Sequence, residues 1–179
     1  IQSIGTGAFR GCSCLTEIRI PDGVTTIQAR AFSGCEMLCS VVLSSNTKYI
    51  GESAFEGCVR LSDIAFENFA FIGNRAFYGC VDLADVVFSD VIESIGSYAF
   101  AGCTGLTDIT IPKSMQNIGL GAFANCTSLT SITLPFVGAT ADSTDKTHFG
   151  YIFGASGYSD NKKYIPSSLK KVVLTGGTS

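Results

Sequence analysis

Along residues 4–134 the apolar positions follow two alternating rhythms. One segment reads Leu-x-x-Ile/Val-x-apolar: Leu15-Ile18-Ile20, Leu38-Val41-Leu43, Leu61-Ile64-Phe66, Leu83-Val86-Phe88, Leu106-Ile109-Ile111 and Leu129-Ile132-Leu134. Its second half alternates apolar with polar, the period-two mark of a strand with one buried face. The other segment reads Ile-Gly-x-x-Ala-Phe-x-Gly-Cys, with Ala and Phe side by side and a Gly after them. That order suits one short helical or 3₁₀ turn, closed by a residue in the left-handed region where Gly costs least. Asn125 takes the Gly place in the last regular copy, and Asn is the usual substitute there.

The two segments together form a unit that starts at Ile4, Ile27, Ile50, Ile72, Ile95 and Ile118, with steps of 23, 23, 22, 23 and 23 residues. A coil of this length cannot enclose its own core, but stacked coils can, because equivalent positions become continuous buried columns. The expected columns are Ile4/27/50/72/95/118, Phe9/32/55/77/100/123 and Ala8/31/54/76/99/122, with the strand positions forming a parallel sheet at about 4.8 Å per strand. The predicted class is an α/β solenoid with short helical or 3₁₀ turns on its convex side.

These motifs resemble the leucine-rich repeats of the BspA-like branch, the 23-residue Treponema pallidum type. Its pattern stands here at Leu15-Ile18-Ile20-Pro21-Val24-Ile27 and at Leu106-Ile109-Ile111-Pro112-Met115-Ile118-Gly119-Ala122-Phe123. Ser44, Glu67 and Ser89 replace the Pro after the strand, and Gln28 replaces the Gly after Ile27. The resemblance implies a right-handed superhelix with one parallel sheet on its concave face.

From Pro135 the rhythm breaks, and the next strand signature, Leu169-Val172-Leu174, comes 40 residues after Leu129. Residues 135–168 read as an irregular insertion, similar to one among such repeats in surface proteins of gut Firmicutes. Tyr151, Ile152 and Phe153 are expected to replace the Ala-Phe of a normal turn. Polar runs around Asp142–Thr147 and Ser156–Lys163 are expected to loop out. Residues 169–179 read as a partial repeat, so that 1–179 is a single domain. The opening at Ile1, without Met, and the lack of polar caps lead us to expect a fragment of a longer array.

Composition narrows the function classes. The chain has 179 residues, of which 46% are apolar and only 15% charged. Disorder needs the opposite balance. No apolar run approaches the ~18 residues of a helical membrane span. A net charge of −3 argues against nucleic-acid binding, which draws on a basic excess.

Eight cysteines demand an account. Six form a ladder at Cys12, Cys35, Cys58, Cys80, Cys103 and Cys126. A stacked column converges on no point, there is no C-x-x-C pair, and the chain has one His, so structural zinc is not expected. The ladder reads as buried thiols behaving as small hydrophobes. Cys14 and Cys39 lie off it; a bridge from either is open in an oxidising compartment, with the reduced state expected.

The outward strand positions bear most on function. The residue before each strand Ile or Val is Glu17, Ser40, Asp63, Asp85, Asp108, Ser131 and Lys171. Asp63, Asp85 and Asp108 are expected to stack as a row that docks a basic partner; the competing reading is a solvated face that keeps the sheet soluble. The alternating row, Arg19, Val42, Ala65, Val87, Thr110, Thr133 and Val173, makes a flat surface suited to a macromolecule. In the insertion, Phe149 and Phe153 are expected to plug the irregular coil. Tyr158 and Tyr164 remain candidates for sugar or protein contact.

His148, in Asp142-x-x-Asp145-x-x-His148, imitates a metal or acid–base cluster, but the stretch reads as a loop. Asn125-Cys126-Thr127 fits the glycosylation pattern inside a fixed turn and is read as incidental. No nucleophile elbow, zinc-protease motif or phosphate-binding Gly loop is present in the sequence. The expected function is a non-enzymatic binding module without cofactor. The BspA-like resemblance implies an exported, cell-surface protein that adheres to host, matrix or cell-surface proteins. The alternative is a structural spacer that displays other domains. An enzyme using the insertion is the weakest reading, because His148 lacks a convincing second partner.

Overall fold

The computed structural model describes residues 1–142, 144 and 146–176. Each repeat makes one coil, and the coils stack in sequence order. The phenylalanines of the turn form the central column: Phe9, Phe32, Phe55, Phe77, Phe100 and Phe123 stack with centroids 5.1–5.7 Å apart and planes within 9° of parallel. All but Phe9 are fully buried. Ile27, Ile72, Ile95 and Ile118, Ala31, Ala54, Ala76, Ala99 and Ala122, and Leu38, Leu61, Leu83, Leu106 and Leu129 are buried beside them, so the core runs along the stack as parallel files, with Ala8 of the first coil exposed.

Strand pairing occurs on two sides of each coil. On one side the Leu-x-x-Ile segments form strands β2 (Glu17–Arg19), β4 (Ser40–Val42), β6 (Asp63–Ile64), β9 (Asp108–Thr110), β11 (Ser131–Leu134) and β12 (Lys171–Leu174). On the other, the residue before each Ile pairs along β1 (Ser3–Ile4), β3 (Thr26–Ile27), β5 (Tyr49–Ile50), β7 (Phe71–Ile72), β8 (Ser94–Ile95) and β10 (Asn117–Ile118), a continuous six-stranded parallel ladder. The solenoid therefore differs from the expected single sheet in two ways. A second ladder exists at the Ile-Gly positions. The first is divided into β2-β4-β6 and β9-β11-β12, and among the described residues only a bridge between Val87 and Thr110 joins it to the fourth coil.

The regular turns are not helices. Alternate N–H groups leave the coil: Gly7, Phe9 and Gly11 donate to the carbonyls of Ala29, Ala31 and Ser33 of the next coil, at 3.0, 2.7 and 2.8 Å. Ala8, Arg10 and Cys12 donate instead to the residue three positions back, at 3.0–3.1 Å. The pattern recurs along the regular coils, as in Arg75, Phe77 and Gly79 donating to Ser97, Ala99 and Ala101. To alternate in this way the chain must turn back twice per coil. The expected site, Gly11 to Gly102 and Asn125, lies at φ 58–76°. A second left-handed site, unmarked in the sequence, holds Gly7, Arg30, Ser53, Arg75, Tyr98 and Gly121 at φ 54–64°. A non-Gly residue costs about 1–2 kcal/mol there, and the same residue's N–H bond to the next coil offsets it.

The Gly after Ile has a different reason. A Cβ at Gly51, Gly73 or Gly96 would meet backbone of the coil behind at 2.7, 2.8 and 2.5 Å. Gln28 is accommodated where the coil behind offers side-chain partners: its amide donates to Ser3 Oγ at 3.3 Å and accepts from Thr6 Oγ1 at 3.1 Å.

All eight cysteines are free thiols. Cys35, Cys58, Cys80, Cys103 and Cys126 are fully buried, whereas Cys12, at the end of the ladder, is exposed. Each buried Sγ–H donates to the carbonyl of the Phe one coil back, at 3.0–3.2 Å, as in Cys58 to Phe32. Burial, reinforced by the neighbouring thiol Cys35, pushes the Cys58 pKa up to about 12, against the opposing backbone hydrogen bond. Burial drives the same rise, to about 12, at Cys126.

The insertion completes a further, irregular coil. Gly121 and Phe123 donate to Tyr151 and Ile152 carbonyls at 2.9 Å, where a regular coil presents its Ala-Phe turn. A 3₁₀ turn at Phe149–Phe153 ends on Gly154 at φ 102° and leads to a 3₁₀ turn at Tyr158–Asp160 and a short helix α1 (Asn161–Tyr164). Phe153 is buried and meets the half-buried Phe149 edge-on at 5.3 Å, as expected for core plugs.

Phe77→Ala, which removes a ring packed on both sides, is expected to lower unfolding free energy by about 3–5 kcal/mol in urea titration. Gly96→Ala, for which the coil behind leaves no space, should cost about 1–3 kcal/mol by the same measurement. In the native protein near pH 8 a thiol at about 12 is about one ten-thousandth thiolate. Thiol-alkylation mass spectrometry is therefore expected to label Cys12 and Cys14 and to reach Cys58, Cys80, Cys103 and Cys126 only in denaturant.

Candidate functional site

The strand face with β2, β4, β6, β9, β11 and β12 carries the candidate residues of the sequence. Period two puts Ile18, Val41, Ile64, Val86, Ile109 and Ile132 inward and their predecessors outward. Val41, Ile64, Val86, Ile109 and Ile132 are buried, while Glu17, Asp63, Asp85, Asp108 and Lys171 are exposed and Ser40 and Ser131 half-buried. Register aligns Glu17 with Ser40, Ser40 with Asp63, Asp108 with Ser131, and Ser131 with Lys171. The second outward row pairs Arg19 with Val42, and Thr110 with Thr133, which in turn faces Val173.

The three aspartates do not form one even row. Asp63 accepts a hydrogen bond from Ser40 Oγ at 2.7 Å and is drawn toward β4. Asp85 lies outside any strand, and the bridge at Val87–Thr110 sets it beside Asp108. Asp85 and Asp108 flank an open depression of about 340 Å³, floored by Val86 and Phe88 and bordered by Val87, Thr107 and Thr110. A second depression, of about 250 Å³, lies among Glu17, Ile18, Arg19, Ser40 and Val42. Among the described residues the ion pairs are Arg30–Glu52 and Arg75–Glu56, both away from this face. The carboxylates of Asp63, Asp85 and Asp108 therefore have no cation of the described residues against them.

The insertion places its aromatics differently. Tyr158 is 83% exposed, and Tyr164 is 37% exposed beside Lys163, whose Nζ lies 5.1 Å from its ring centre. Tyr164 lines a depression of about 250 Å³ with Asn125, Thr127, Lys162 and Lys163. His148 Nε2 lies 2.9 Å from the Ala155 carbonyl, which can only accept, so that nitrogen carries the proton. Ser156 donates to Asp160 at 2.7 Å. Both bonds close the loop on itself. His148, Lys146, Tyr151 and Ser156 line a depression of about 370 Å³. Of the imitated cluster, Asp142 is exposed and Asp145 lies outside the described residues. Among the described residues no group of three His, Cys, Asp or Glu converges on a metal-sized site, and no helix is long and apolar enough to cross a membrane.

Sequence reasoning missed the outer face of the second ladder, where Tyr49 and Phe71 stack at 5.2 Å with planes 1° apart. It also missed Arg75, which lies 4.1 Å over the Tyr78 ring while bonding Glu56 at 2.5 Å. The x-Ile alternation ahead of each Gly was the signal for the first. The stacked faces of Tyr49 and Phe71 cover each other, which makes them a cross-strand brace.

A family model described as BspA type leucine rich repeat region, in six copies, matches residues 1–103 and 70–149. A leucine-rich repeat protein of T. pallidum is 28% identical, with a TM-score of 0.71 over 88% of this chain and 68% of its own. One from Bacteroides ovatus is 26% identical, with a TM-score of 0.65 over 96% of this chain and 36% of its own. One from Eubacterium ventriosum shares the fold at 20% identity and a TM-score of 0.67, over 96% of this chain and 44% of its own. The chain thus spans less than half the length of these last two. No curated protein matches. The family match covers most of the chain and rests on the repeat whose stacking is described above: the chain belongs to the BspA-type leucine-rich repeat family.

Proposed function

We propose that the chain is a non-enzymatic adhesion module of a cell-surface protein, and that its strand face docks a basic segment of a host, matrix or cell-surface protein. The observation that carries this reading is the set of exposed carboxylates, Asp63, Asp85 and Asp108, standing on a broad face with no neighbouring cation among the described residues. The surrounding outward residues are short or β-branched, so the face meets a surface better than it encloses a metabolite. Family membership supports a protein-binding surface; export and adhesion rest on this proposal. Tyr158 and Tyr164 offer a second, lateral contact on the insertion. Glu17, Arg19 and Lys171 stand at the ends of the same face and set its charge borders.

Asp85 and Asp108, the two set side by side, repel each other by a few tenths of a kcal/mol or more, which offsets the exposed bond from Ser40 that Asp63 gives up on replacement. Replacing all three should not lower stability, which separates their role in binding from one in folding. In a pull-down from solubilised extracellular matrix, the Asp63→Lys/Asp85→Lys/Asp108→Lys variant is expected to retain at most about a tenth of the protein captured by the parent chain, roughly 1.4 kcal/mol. Its thermal midpoint should be no lower. Undiminished capture would remove the acidic face from the reading. If the parent chain itself captures nothing, the spacer role takes its place.

A further inference from the structure

We propose that the strand face is hinged at the fourth coil, with Ala84–Phe88 as a segment that opens independently of the rest of the stack. This inference does not depend on the adhesion reading.

At most junctions two successive N–H groups at the start of the strand segment share one carbonyl of the coil behind. Cys39 and Ser40 donate to Thr16 at 2.8 and 3.4 Å, and Ser62 and Asp63 to Cys39 at 3.2 and 3.0 Å. Thr130 and Ser131 donate to Thr107 at 2.7 and 3.3 Å, and Lys170 and Lys171 to Thr130 at 2.8 and 3.0 Å. Among the described residues, the equivalent pairs Ala84/Asp85 and Thr107/Asp108 make no backbone hydrogen bond to the coil behind. Nor does any strand pairing among them join β6 to the fourth coil, and a single bridge joins that coil to β9. Each of these junctions keeps one backbone bond two residues earlier, Asp82 to Val59 at 3.0 Å and Gly105 to Val81 at 2.9 Å; beyond it the backbone of Ala84–Phe88 is paired to its neighbours, among the described residues, through the Val87–Thr110 bridge alone. Val87, at 70% exposure, stands out from the segment.

The cause lies beneath. The last strand position is Ile20, Leu43, Ile111 and Leu134 in other coils but Phe66 and Phe88 here. These two rings meet edge-on, 5.8 Å apart at 80°, and Phe66 also leans on Phe77 at 5.1 Å and 60°. An edge-to-face pair needs more room than the roughly 4.8 Å between paired strands. The third coil is also one residue short: Ile64 to Ile72 spans 8 positions, against 9 from Ile18 to Ile27, from Val41 to Ile50 and from Ile109 to Ile118. To this bulky file and the shortened return we assign the absence of pairing between the two strand segments.

The opposite walls stay closed. β7 and β8 pair through Phe71–Ser94 and Ile72–Ile95, and Phe77 remains stacked between Phe55 and Phe100. Coils tied on two sides and open on the third make a hinge. Its opening is the depression between Asp85 and Asp108, so flexing there changes the spacing of the carboxylates along the face.

Amide-resolved hydrogen exchange of the native chain tests this. Ala84, Asp85, Thr107 and Asp108 are expected to exchange at least about tenfold faster than Ser62, Asp63, Thr130 and Ser131. The Phe66→Ile/Phe88→Leu variant, which carries the residue types of the other coils, is expected to slow the first group by about tenfold or more. Equal protection of the two groups in the parent chain would overturn the hinge, whether or not the variant folds. A folded variant with exchange unchanged at Ala84 and Asp85 would overturn the assignment of the hinge to these rings.

Discussion

The structure depends on the bond by which each turn phenylalanine donates its N–H to the alanine one coil further on, from Phe9–Ala31 through Phe100–Ala122, at 2.7–2.8 Å. Flanked by two more such bonds per coil, it holds the coil spacing on the turn side and brings the rings to 5.1–5.7 Å. Three further features are consequences of that spacing. The backbone at Ile-Gly comes too close for a Cβ, the cysteine thiol reaches the carbonyl of the preceding Phe, and two residues per coil must turn left-handed to send alternate N–H groups outward. An isolated coil could satisfy none of these groups, because its partners belong to the next coil.

A core built in this way absorbs the apolar files of the repeat and leaves function to the faces. The thiol ladder is spent on packing and on carbonyls, and burial holds its cysteines away from the reactive thiolate form. His148 and Ser156 are spent on closing the insertion. What remains outward includes the strand face, with its carboxylates, the Tyr49–Phe71 brace on the second ladder and the tyrosines of the insertion. The strand face joins coils through its backbone ladders and the Ser40–Asp63 bond, while its other outward side chains and Tyr158 stand clear of the core files.

The strand face also shows how one local choice changes a regular fold. Two phenylalanines in a file of isoleucine and leucine are compatible with burial, since Phe66 and Phe88 are 2% and 8% exposed. They are less compatible with ladder spacing, and the sheet gives way there because the aromatic core and the opposite ladder are the stronger ties. Regularity thus survives in the core and fails at the surface, where Asp85 stays beside Asp108 but no strand pairing among the described residues ties its segment to Asp63 and β6.

The apolar rhythm by itself determined the solenoid, its coil boundaries, the Phe, Ala, Ile and Cys files, the left-handed Gly and Asn125 position, and which residues point outward on the strand face. Each of these follows from periodicity, and periodicity is a property of the chain. The tertiary structure alone decided the second ladder, the alternation of turn N–H groups between coils, the left-handed Arg30, Ser53, Arg75 and Tyr98, the bond from Ser40 to Asp63, and the break at the fourth coil. Those depend on how near one coil comes to the next, a distance set by rings and backbone meeting in three dimensions and written in no single repeat.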